Sequence, residues 1–457
     1  MTNRLDRDFH LPGLLRFALP TIIMMLVVSL YTIVDGVLIA RLVGENALAA
    51  ANVAYPAISF TLAMGIMLGT GGSAVVAHKM GAGYLEEARR DFGFLALVAV
   101  CIGLAVCLAG ALFAGPLARL LGASDLLLDD TVTYLRVQLC FAPMAMLQLL
   151  FESFFVTAGR PGLGLGLAVA AGVTNAVLDY LYMGPMQMGI LGAALGTVTG
   201  YSIPAVVGVL FFLLRRQGLR FGRPHGDLRM LGRACFNGAS EMVTNLSMAV
   251  TTFLFNAIMM AYLGEAGVSA ITIVLYAQFL LVSLYMGFSM GVAPVFSFNR
   301  GAGRYDRMRR IFGYCLRFIL VSSVAILAVA LALSGVVVGI FSTPGSPVYA
   351  IALDGFRRFA PAFLFAGVNI FSSALFTALS DGRTSAIISF ARTFGFLLLG
   401  LLLLPRLLEV DGVWLAVPLA ELLSCLLSVW FLRRKRADFG FGGGDLPRHG
   451  GRGGGRT

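Results

Sequence analysis

Lysine is almost absent from this sequence, which contains only Lys79 and Lys435. Neither lysine follows a glycine, so the G-K-[ST] loop with which many ATPases and GTPases hold phosphate is excluded. The chain also lacks a G-x-S-x-G motif and a Cys–His pair at a recognisable spacing. Histidine is scarce too, and its positions are too scattered to form a histidine metal cluster: His10, His78, His225 and His449. We therefore expect neither an enzyme nor a bound cofactor.

Charged residues are also scarce. Only 12% of the 457 residues are charged, which is about half the fraction in a soluble domain. By contrast, 58% are hydrophobic and the mean hydropathy is +0.88. Apolar stretches of about 18 residues or more recur along the chain, and each is long enough to cross a bilayer. Because a chain in lipid must satisfy its backbone hydrogen bonds internally, and because the alternation of a β-barrel is absent, these stretches predict helices. The fold class is therefore an all-α polytopic membrane protein.

Twelve transmembrane spans are predicted, and they divide the chain into two bundles of six. The spans are 13–39, 48–77, 92–114, 130–156, 162–183, 190–214, 235–260, 268–298, 310–341, 350–379, 384–404 and 412–432. The predicted domains are an N-terminal segment (1–12), a first six-helix bundle (13–214), a basic linker (215–233), a second six-helix bundle (234–432) and a basic, glycine-rich tail (433–457).

The basic residues of the loops indicate the orientation. Twenty-three of them fall on the side of the two termini, whereas only Arg41, Arg119 and Arg406 fall on the other side. This bias follows the positive-inside rule, so both termini are expected in the cytoplasm. It also explains the net charge of +11 without a nucleic-acid partner.

The two bundles are related by an internal repeat at an offset of 220 residues. Four short motifs of the first half recur in the second at that offset: Gly44-Glu45 at Gly264-Glu265, Gly81-Ala82-Gly83 at Gly301-Ala302-Gly303, Arg89-Arg90 at Arg309-Arg310, and Phe92-Gly93 at Phe312-Gly313. Each half has an even number of spans, so the second half enters the membrane with the same orientation. We therefore expect a pseudo-two-fold axis along the membrane normal and a substrate path between the halves.

Three acids lie inside the spans of the first half, and each has a polar neighbour four residues earlier. A carboxylate at mid-membrane depth costs roughly 2.5–3.5 kcal/mol, so such residues normally face a cavity or a partner. A spacing of four places both members of a pair on one helix face. The pairs are Tyr31/Asp35, Gln148/Glu152 and Asn175/Asp179, and Thr197 on the next helix can add a hydroxyl.

The repeat provides an internal comparison for these acids. In the second half the positions that match Asp35, Glu152 and Asp179 hold Phe255, Leu375 and Leu402, respectively. This asymmetry favours a task that the first half performs alone. The alternative is that the acids belong to static polar networks or pair with buried arginine, although no arginine lies deep in the same helices.

The second half carries other candidates. Arg392 and Glu421 lie at comparable depth on adjacent predicted helices, which favours a structural ion pair. Glu241, near the start of its helix, remains a weak candidate for cation binding. Phenylalanine and methionine side chains can adapt to varied apolar ligands. The weak candidates for a substrate cavity are therefore Gln148, Phe253, Phe255, Met286 and Met290.

In motif order and spacing the chain resembles the multidrug and toxic compound extrusion (MATE) family, close to its DinF/MepA-like branch. The resemblance runs from about residue 13 to residue 435. It rests on Pro20 before Tyr31-x-x-x-Asp35, Gly81-Ala82-Gly83, Gly159-Arg160-Pro161, Asn175-x-x-x-Asp179, Gly192-Ala193-Ala194 with Thr197, and Gly412-Val413-Trp414 before Pro418 and Glu421.

The resemblance implies a twelve-helix antiporter that exports cationic or amphiphilic small molecules, such as drugs and toxic organic cations, in exchange for H⁺ or Na⁺. It also implies a bacterial plasma-membrane location and a coupling-cation site at Tyr31, Asp35, Glu152, Asn175, Asp179 and Thr197. At position 152 some relatives have an amide, so this chain has one more titratable group. We expect a monomer surrounded by membrane lipid. The sequence leaves open whether the ion is H⁺ or Na⁺, which compound is exported, and whether Glu241 takes part.

The alternatives are a lipid-linked oligosaccharide flippase of the same wider superfamily, a membrane enzyme or receptor, and a major-facilitator transporter. A flippase is expected to have extra helices and a strongly cationic cavity, and neither is clear here. An enzyme or receptor is expected to show a catalytic cluster or a large extramembrane domain. A major-facilitator protein is expected to carry a charged loop signature, which is missing around Gly81–Arg90.

Overall fold

The computed structural model describes residues 4–436 and 438–439, and within these ranges the chain forms helices and no strands. The predicted tail therefore lies mostly outside the described residues. A 3₁₀ turn (Arg4–Asp6) precedes fourteen α-helices. They are α1 (Leu11–Leu42), α2 (Glu45–Gly81), α3 (Leu85–Leu120), α4 (Leu128–Cys140), α5 (Ala142–Thr157), α6 (Pro161–Met183), α7 (Gly189–Leu214), α8 (Leu228–Gly301), α9 (Tyr305–Ala332), α10 (Ser334–Phe341), α11 (Pro347–Phe359), α12 (Ala362–Ala378), α13 (Gly382–Phe390) and α14 (Leu398–Arg434), with a π-helix (Ala391–Leu397) between α13 and α14.

Twelve membrane spans follow from these helices. Eight continuous helical stretches are long and apolar enough to cross a bilayer, and two further spans are the bent pairs α4–α5 and α11–α12. Two of the eight stretches contain two spans each. Helix α8 has 74 residues, or about 110 Å at 1.5 Å per residue, and it breaks at Gly264. The stretch Gly382–Arg434 breaks at Glu409. The prediction of twelve spans is confirmed.

The breaks and bends have local chemical causes. Gly264 has φ 62° and ψ −151°, a conformation that glycine adopts without steric cost. Each bent pair turns by 55°, and a proline lies at each bend: Pro143 at α4–α5 and Pro361 at α11–α12. Proline lacks a backbone N–H and its ring clashes with the carbonyl four residues earlier in a continuous helix, so the helix changes direction there. The sequence places a proline in each of these spans, and the structure shows that both spans are sharply bent.

The two halves meet through reciprocal contacts that express the pseudo-two-fold axis. Gly81 at the end of α2 lies against the carbonyl of Phe298, and Gly301 at the end of α8 lies against the carbonyl of His78. Both glycines and both carbonyl residues are related by the offset of 220. A Cβ atom on either glycine would collide with the opposing backbone, so the close approach depends on glycine.

A second pair of symmetry-related contacts joins the halves further along the same helices. Gly71 of α2 packs against Ala234 and Gly238 at the start of α8, and Gly291 of α8 packs against Ala18 of α1. Positions 71 and 291, and positions 238 and 18, are again 220 residues apart. Helices α1 and α2 therefore pack on α8 across the boundary between the bundles.

Both ends of the described chain lie at one face of the bundle, here called the terminal face. Asp6 forms ion pairs with Arg304 and, at 3.8 Å, with Arg307, both of which follow α8. The guanidinium carbon of Arg300 lies 5.4 Å from the centre of the Phe439 ring. The N-terminus, the α8–α9 loop and the end of α14 are thus neighbours.

The reciprocal glycine contacts where α2 and α8 end generate a stability prediction. Gly81→Ala and Gly301→Ala should each lower the free energy of unfolding by about 1–3 kcal/mol, because overpacking forces the backbones apart. The measurement is thermal unfolding of the purified protein in detergent. Gly232→Ala is the matched control, since nothing lies within 4 Å of its Cβ position on α8. Equal melting temperatures for all three variants would contradict the close crossing.

Candidate functional site

Five helices of the first half converge through five polar pairs, each with a spacing of four residues. Three of them were selected from the sequence, Tyr31/Asp35 on α1, Gln148/Glu152 on α5 and Asn175/Asp179 on α6. The structure adds Tyr134/Gln138 on α4 and Thr197/Tyr201 on α7. Because residues four apart share a helix face, each helix turns one polar patch towards the same region. We call this group of ten residues the acidic site.

Asp35 and Asp179 are adjoining carboxyl groups at the centre of the acidic site. Asp179 is fully buried, whereas Asp35 is only partly buried. Gly196 of α7 leaves the space for Asp179, because a Cβ at that position would collide with the Asp179 carboxylate. The sequence predicted both acids, and the structure shows them together although they lie 144 residues apart.

The hydrogen bonding of this pair is incomplete. Among the described residues, no group donates a hydrogen bond to Asp35 Oδ1 or to either carboxylate oxygen of Asp179. Two adjoining carboxylates in an apolar interior cannot both remain charged without a compensating positive charge. The arrangement is therefore suited to holding a proton or a small cation between the two acids.

Glu152 forms a second branch of the acidic site. Gln148 Nε2 donates a hydrogen bond of 3.1 Å to Glu152 Oε1. Tyr31 adjoins Gln148 and lies within electrostatic range of both Glu152 and Asp35. Tyr31 and Gln148 thus connect the third acid to the central pair. Within the described residues, no three His, Cys, Asp or Glu side chains converge closely enough to hold a metal ion.

Tyr134 and Tyr201 belong to the acidic site but were missed in the sequence. Tyr134 adjoins Gln138 and Thr197 and faces both Asp35 and Asp179. Tyr201 lies within electrostatic range of Tyr31, Tyr134 and Asp35. The hydroxyl of Thr197 donates to the Ala193 carbonyl at 3.0 Å, so its oxygen remains available as an acceptor. The spacing of four that selected the acids would also have found these tyrosines.

The second half holds a saturated ion pair instead. Arg392 Nη2 and Nε lie 2.6 and 2.9 Å from Glu421 Oε1, and Asn369 Nδ2 donates to Glu421 Oε2 at 2.7 Å. Arg392 lies in the π-helix, a widened turn that often occurs where a side chain has a specific task. Glu241 lies within electrostatic range of Arg392, so it belongs to this second-half network. The structure does not bring it to the acidic site.

The residues predicted for a substrate cavity differ widely in burial. Gln148 is part of the acidic site. Phe255 is fully buried in the hydrophobic core of the second half, whereas Phe253 is 71% exposed. Met286 and Met290 are partly buried one turn apart on α8. In this conformation Phe255 is a core residue with no accessible surface.

The sequence of each half carries the same family signature. A family model, MatE, matches residues 20–181 and matches again at residues 242–402, which together make up well over half of the chain. This chain belongs to the MatE family. The first MatE match contains Tyr31, Asp35, Glu152 and Asp179, and the second contains Arg392. The two matches correspond to the two bundles joined by the linker.

Relatives and solved structures agree with this membership. The multidrug export protein MepA of Staphylococcus saprophyticus is 23% identical over 439 residues, covering 92% of this chain and 94% of that protein. A crystal structure of MATE in complex with MaL6 has a TM-score of 0.88 at 19% identity, covering 93% of this chain and 96% of the other. A MOP superfamily transporter from Pyrococcus furiosus has a TM-score of 0.86 with the same identity and coverage. The chain therefore has the fold of a MATE transporter.

The ion pair of the second half is expected to be structural. Glu421→Gln should lower the free energy of unfolding by about 3–5 kcal/mol, because it leaves the Arg392 charge buried without its partner. Asp411→Asn is the control, since Asp411 pairs with Arg358 where both side chains are substantially exposed, and such a pair contributes at most about 1 kcal/mol. Thermal unfolding in detergent measures both. A stable Glu421→Gln protein would contradict a structural role for the pair.

Proposed function

We propose that this chain is a secondary active multidrug efflux antiporter that exports cationic or amphiphilic small molecules in exchange for H⁺ or Na⁺. The observation that carries the proposal is the pair of adjoining acids, Asp35 and Asp179, inside the membrane. MatE membership and the similarity to MepA proteins support drug-like substrates. Acids inside membrane-spanning helices commonly mark ion or substrate paths, which supports transport.

The acidic site would work as an exchange site for positive charge. In the outward-open state, Asp35 would take up the coupling ion first, because it is the more accessible acid, and Asp179 would share it. Neutralisation removes the attraction for a cationic substrate, which is then released outside. Glu152 would add a third carboxyl group to the site, to which Tyr31 and Gln148 connect it. A flippase for anionic carbohydrate carriers is expected to have a cationic cavity, whereas the ionisable groups of the acidic site are carboxyls and tyrosines.

Helix α1 can connect the acidic site to the second half. Its segment around Ala18, Thr21 and Ile22 packs closely on Gly287 and Gly291 of α8. Pro20 lies between the start of α1 and Asp35, and Asp35 is about four turns beyond the proline. Because proline removes one helical hydrogen bond, a bend near Pro20 would let the segment with Asp35 move while the neighbouring contacts with α8 hold.

The placement in the cell is also a proposal. We propose that the terminal face is cytoplasmic, since the basic loops lie on that side, and that the protein acts as a monomer in the bacterial inner membrane. The pseudo-two-fold arrangement provides two lobes within a single chain, which is sufficient for alternating access.

The first functional prediction concerns the two central acids. Asp35→Asn and Asp179→Asn should each reduce drug efflux to near the background of cells without the transporter, because an amide cannot take up and release a proton. Ethidium efflux from de-energised and re-energised cells is the measurement, with membrane expression checked by immunoblot. Asp129→Asn is the matched control, since Asp129 is exposed at the start of α4. Efflux at the wild-type rate by both variants would remove these acids from the mechanism.

The second prediction concerns coupling. Drug uptake into proteoliposomes should follow either an imposed pH gradient or an imposed Na⁺ gradient, and the response should be lost in Asp35→Asn. Uptake that is independent of both gradients, with the purified protein correctly folded, would contradict antiport. Because the two gradients are imposed separately, the same experiment identifies the coupling ion.

A further inference from the structure

A groove on the surface of α9 carries an unusual concentration of arginine. It has a volume of about 710 Å³, and its lining residues all lie on one face of this helix: Asp306, Arg309, Arg310, Gly313, Tyr314 and Arg317. Spacings of three and four along the helix align these side chains. The groove lies near the terminal face, because α9 begins at Tyr305 in the loop where Arg304 contacts Asp6.

The internal repeat shows that the matching surface of the first half is covered. There, Gly222 of the linker donates its backbone N–H to the Arg89 carbonyl at 3.0 Å. A Cβ on Gly93 would collide with Gly222, and Arg89 Nε donates to the Gly218 carbonyl at 2.9 Å. The linker residue Phe221 also stacks on Phe92, with ring centres 4.8 Å apart. The linker thus seals this face of α3.

The same positions of α9 are open among the described residues. Gly313, which matches Gly93, has nothing within 4 Å of its Cβ position. Arg309, which matches the buried Arg89, is exposed. A helix face that the fold covers in one repeat is therefore accessible in the other, and it presents cationic groups.

Two of the three arginines of the groove have no ion-pair partner among the described residues. Arg310 pairs with Asp8 at 3.2 Å, and both side chains are about half exposed. Arg309 and Arg317 form no ion pair with any residue between 4 and 436. Among the described residues, Asp306 is the one acid that lines the groove. The groove therefore favours an anionic occupant.

The position of the groove along the helix points to a lipid. On the next turns of α9, Leu320, Val321 and Val324 are exposed apolar side chains, with 55%, 71% and 60% of their surface accessible. A phospholipid has a polar headgroup and apolar acyl chains. The arginine and tyrosine side chains lie at the level of the headgroups, and the apolar side chains lie at the level of the acyl chains. A soluble phosphate compound would use only the polar end.

We propose that this groove binds the headgroup of an anionic phospholipid from the leaflet at the terminal face, with Arg309 and Arg317 contacting its phosphate. Guanidinium groups form strong charge-assisted hydrogen bonds with phosphate oxygens. Tyr314 lies between them along the helix, at the depth where tyrosine is favoured at membrane interfaces. The glycine-rich segment after residue 440 is the other candidate occupant, but it contains Arg448, Arg452 and Arg456 against a single acid, so its charge disfavours this groove.

Lipid titration of the purified full-length protein tests the proposal by native mass spectrometry. Phosphatidylglycerol should bind the wild type more tightly than phosphatidylcholine. In Arg309→Gln/Arg317→Gln its binding should weaken about 25-fold, because each basic residue near an anionic membrane surface contributes roughly a factor of five. Arg90→Gln is the matched control, an exposed arginine on α3 of the first half that should leave binding unchanged.

Three outcomes would overturn the proposal. One is equal binding of phosphatidylglycerol by the wild type and the double variant with the same melting temperature. Another is displacement of the lipid by free glycerol 3-phosphate at equal concentration, which would indicate a simple phosphate site. The third comes from a photo-crosslinking residue at position 313, if it attaches to residues 440–457 instead of to lipid. Because the double variant leaves the acidic site intact, its result is independent of the proposed antiport.

Discussion

The contact between the carboxyl groups of Asp35 and Asp179 places the strongest constraint on this structure. Each acid inside a bilayer costs roughly 2.5–3.5 kcal/mol, and two that adjoin also repel each other when both are charged. Such a contact persists only if the surrounding helices hold it and if a positive charge or a proton can enter. Gly196 gives Asp179 its space, and the polar neighbours on the same helix faces surround the pair. Five helices of the first half contribute polar side chains to the surroundings of this pair.

The repeat shows how one scaffold supports two different uses of charge. Both halves have the same helix order, and the reciprocal glycine contacts of Gly81 and Gly301 join them symmetrically. In the first half the central acids, Asp35 and Asp179, have carboxylate oxygens without a hydrogen-bond partner among the described residues. In the second half Glu421 is bound by Arg392 and Asn369, so its charge is compensated in place. The repeated motifs thus belong to the contacts that join the halves, whereas the acidic site and the Arg392–Glu421 ion pair each occur in one half.

Much of this architecture could be predicted from the sequence, because hydropathy and loop charge directly reflect the bilayer. The twelve spans and the repeat follow from those patterns, and the acids at a spacing of four were visible because charge is rare in the spans. Tyr134 and Tyr201 were not identified from the sequence, because tyrosine is common in membrane helices and its burial costs little free energy. Packing between helices that are distant in the sequence brings Asp35 next to Asp179 and places Gly196 beside Asp179. These contacts could not be predicted from the sequence. The break at Gly264 falls between the predicted spans 235–260 and 268–298, so its place was predicted, whereas the nearly continuous helix on both sides of it was not.

In the proposed antiport, the coupling ion and the substrate would bind at one place, so the coupling between them would not have to cross the protein. A ligand can shift an equilibrium only by the difference between its affinities for the two states. In the proposed antiport, a proton and a cationic substrate would compete for the same carboxyl groups and have opposite effects on one charge, so their coupling would be direct at the acidic site. The remaining requirement is mechanical, since the change must reach the other lobe. Helix α1 carries Asp35 on one segment and packs on α8 with another, close to Pro20, so one helix can carry both the chemical change and its transmission to the boundary between the lobes.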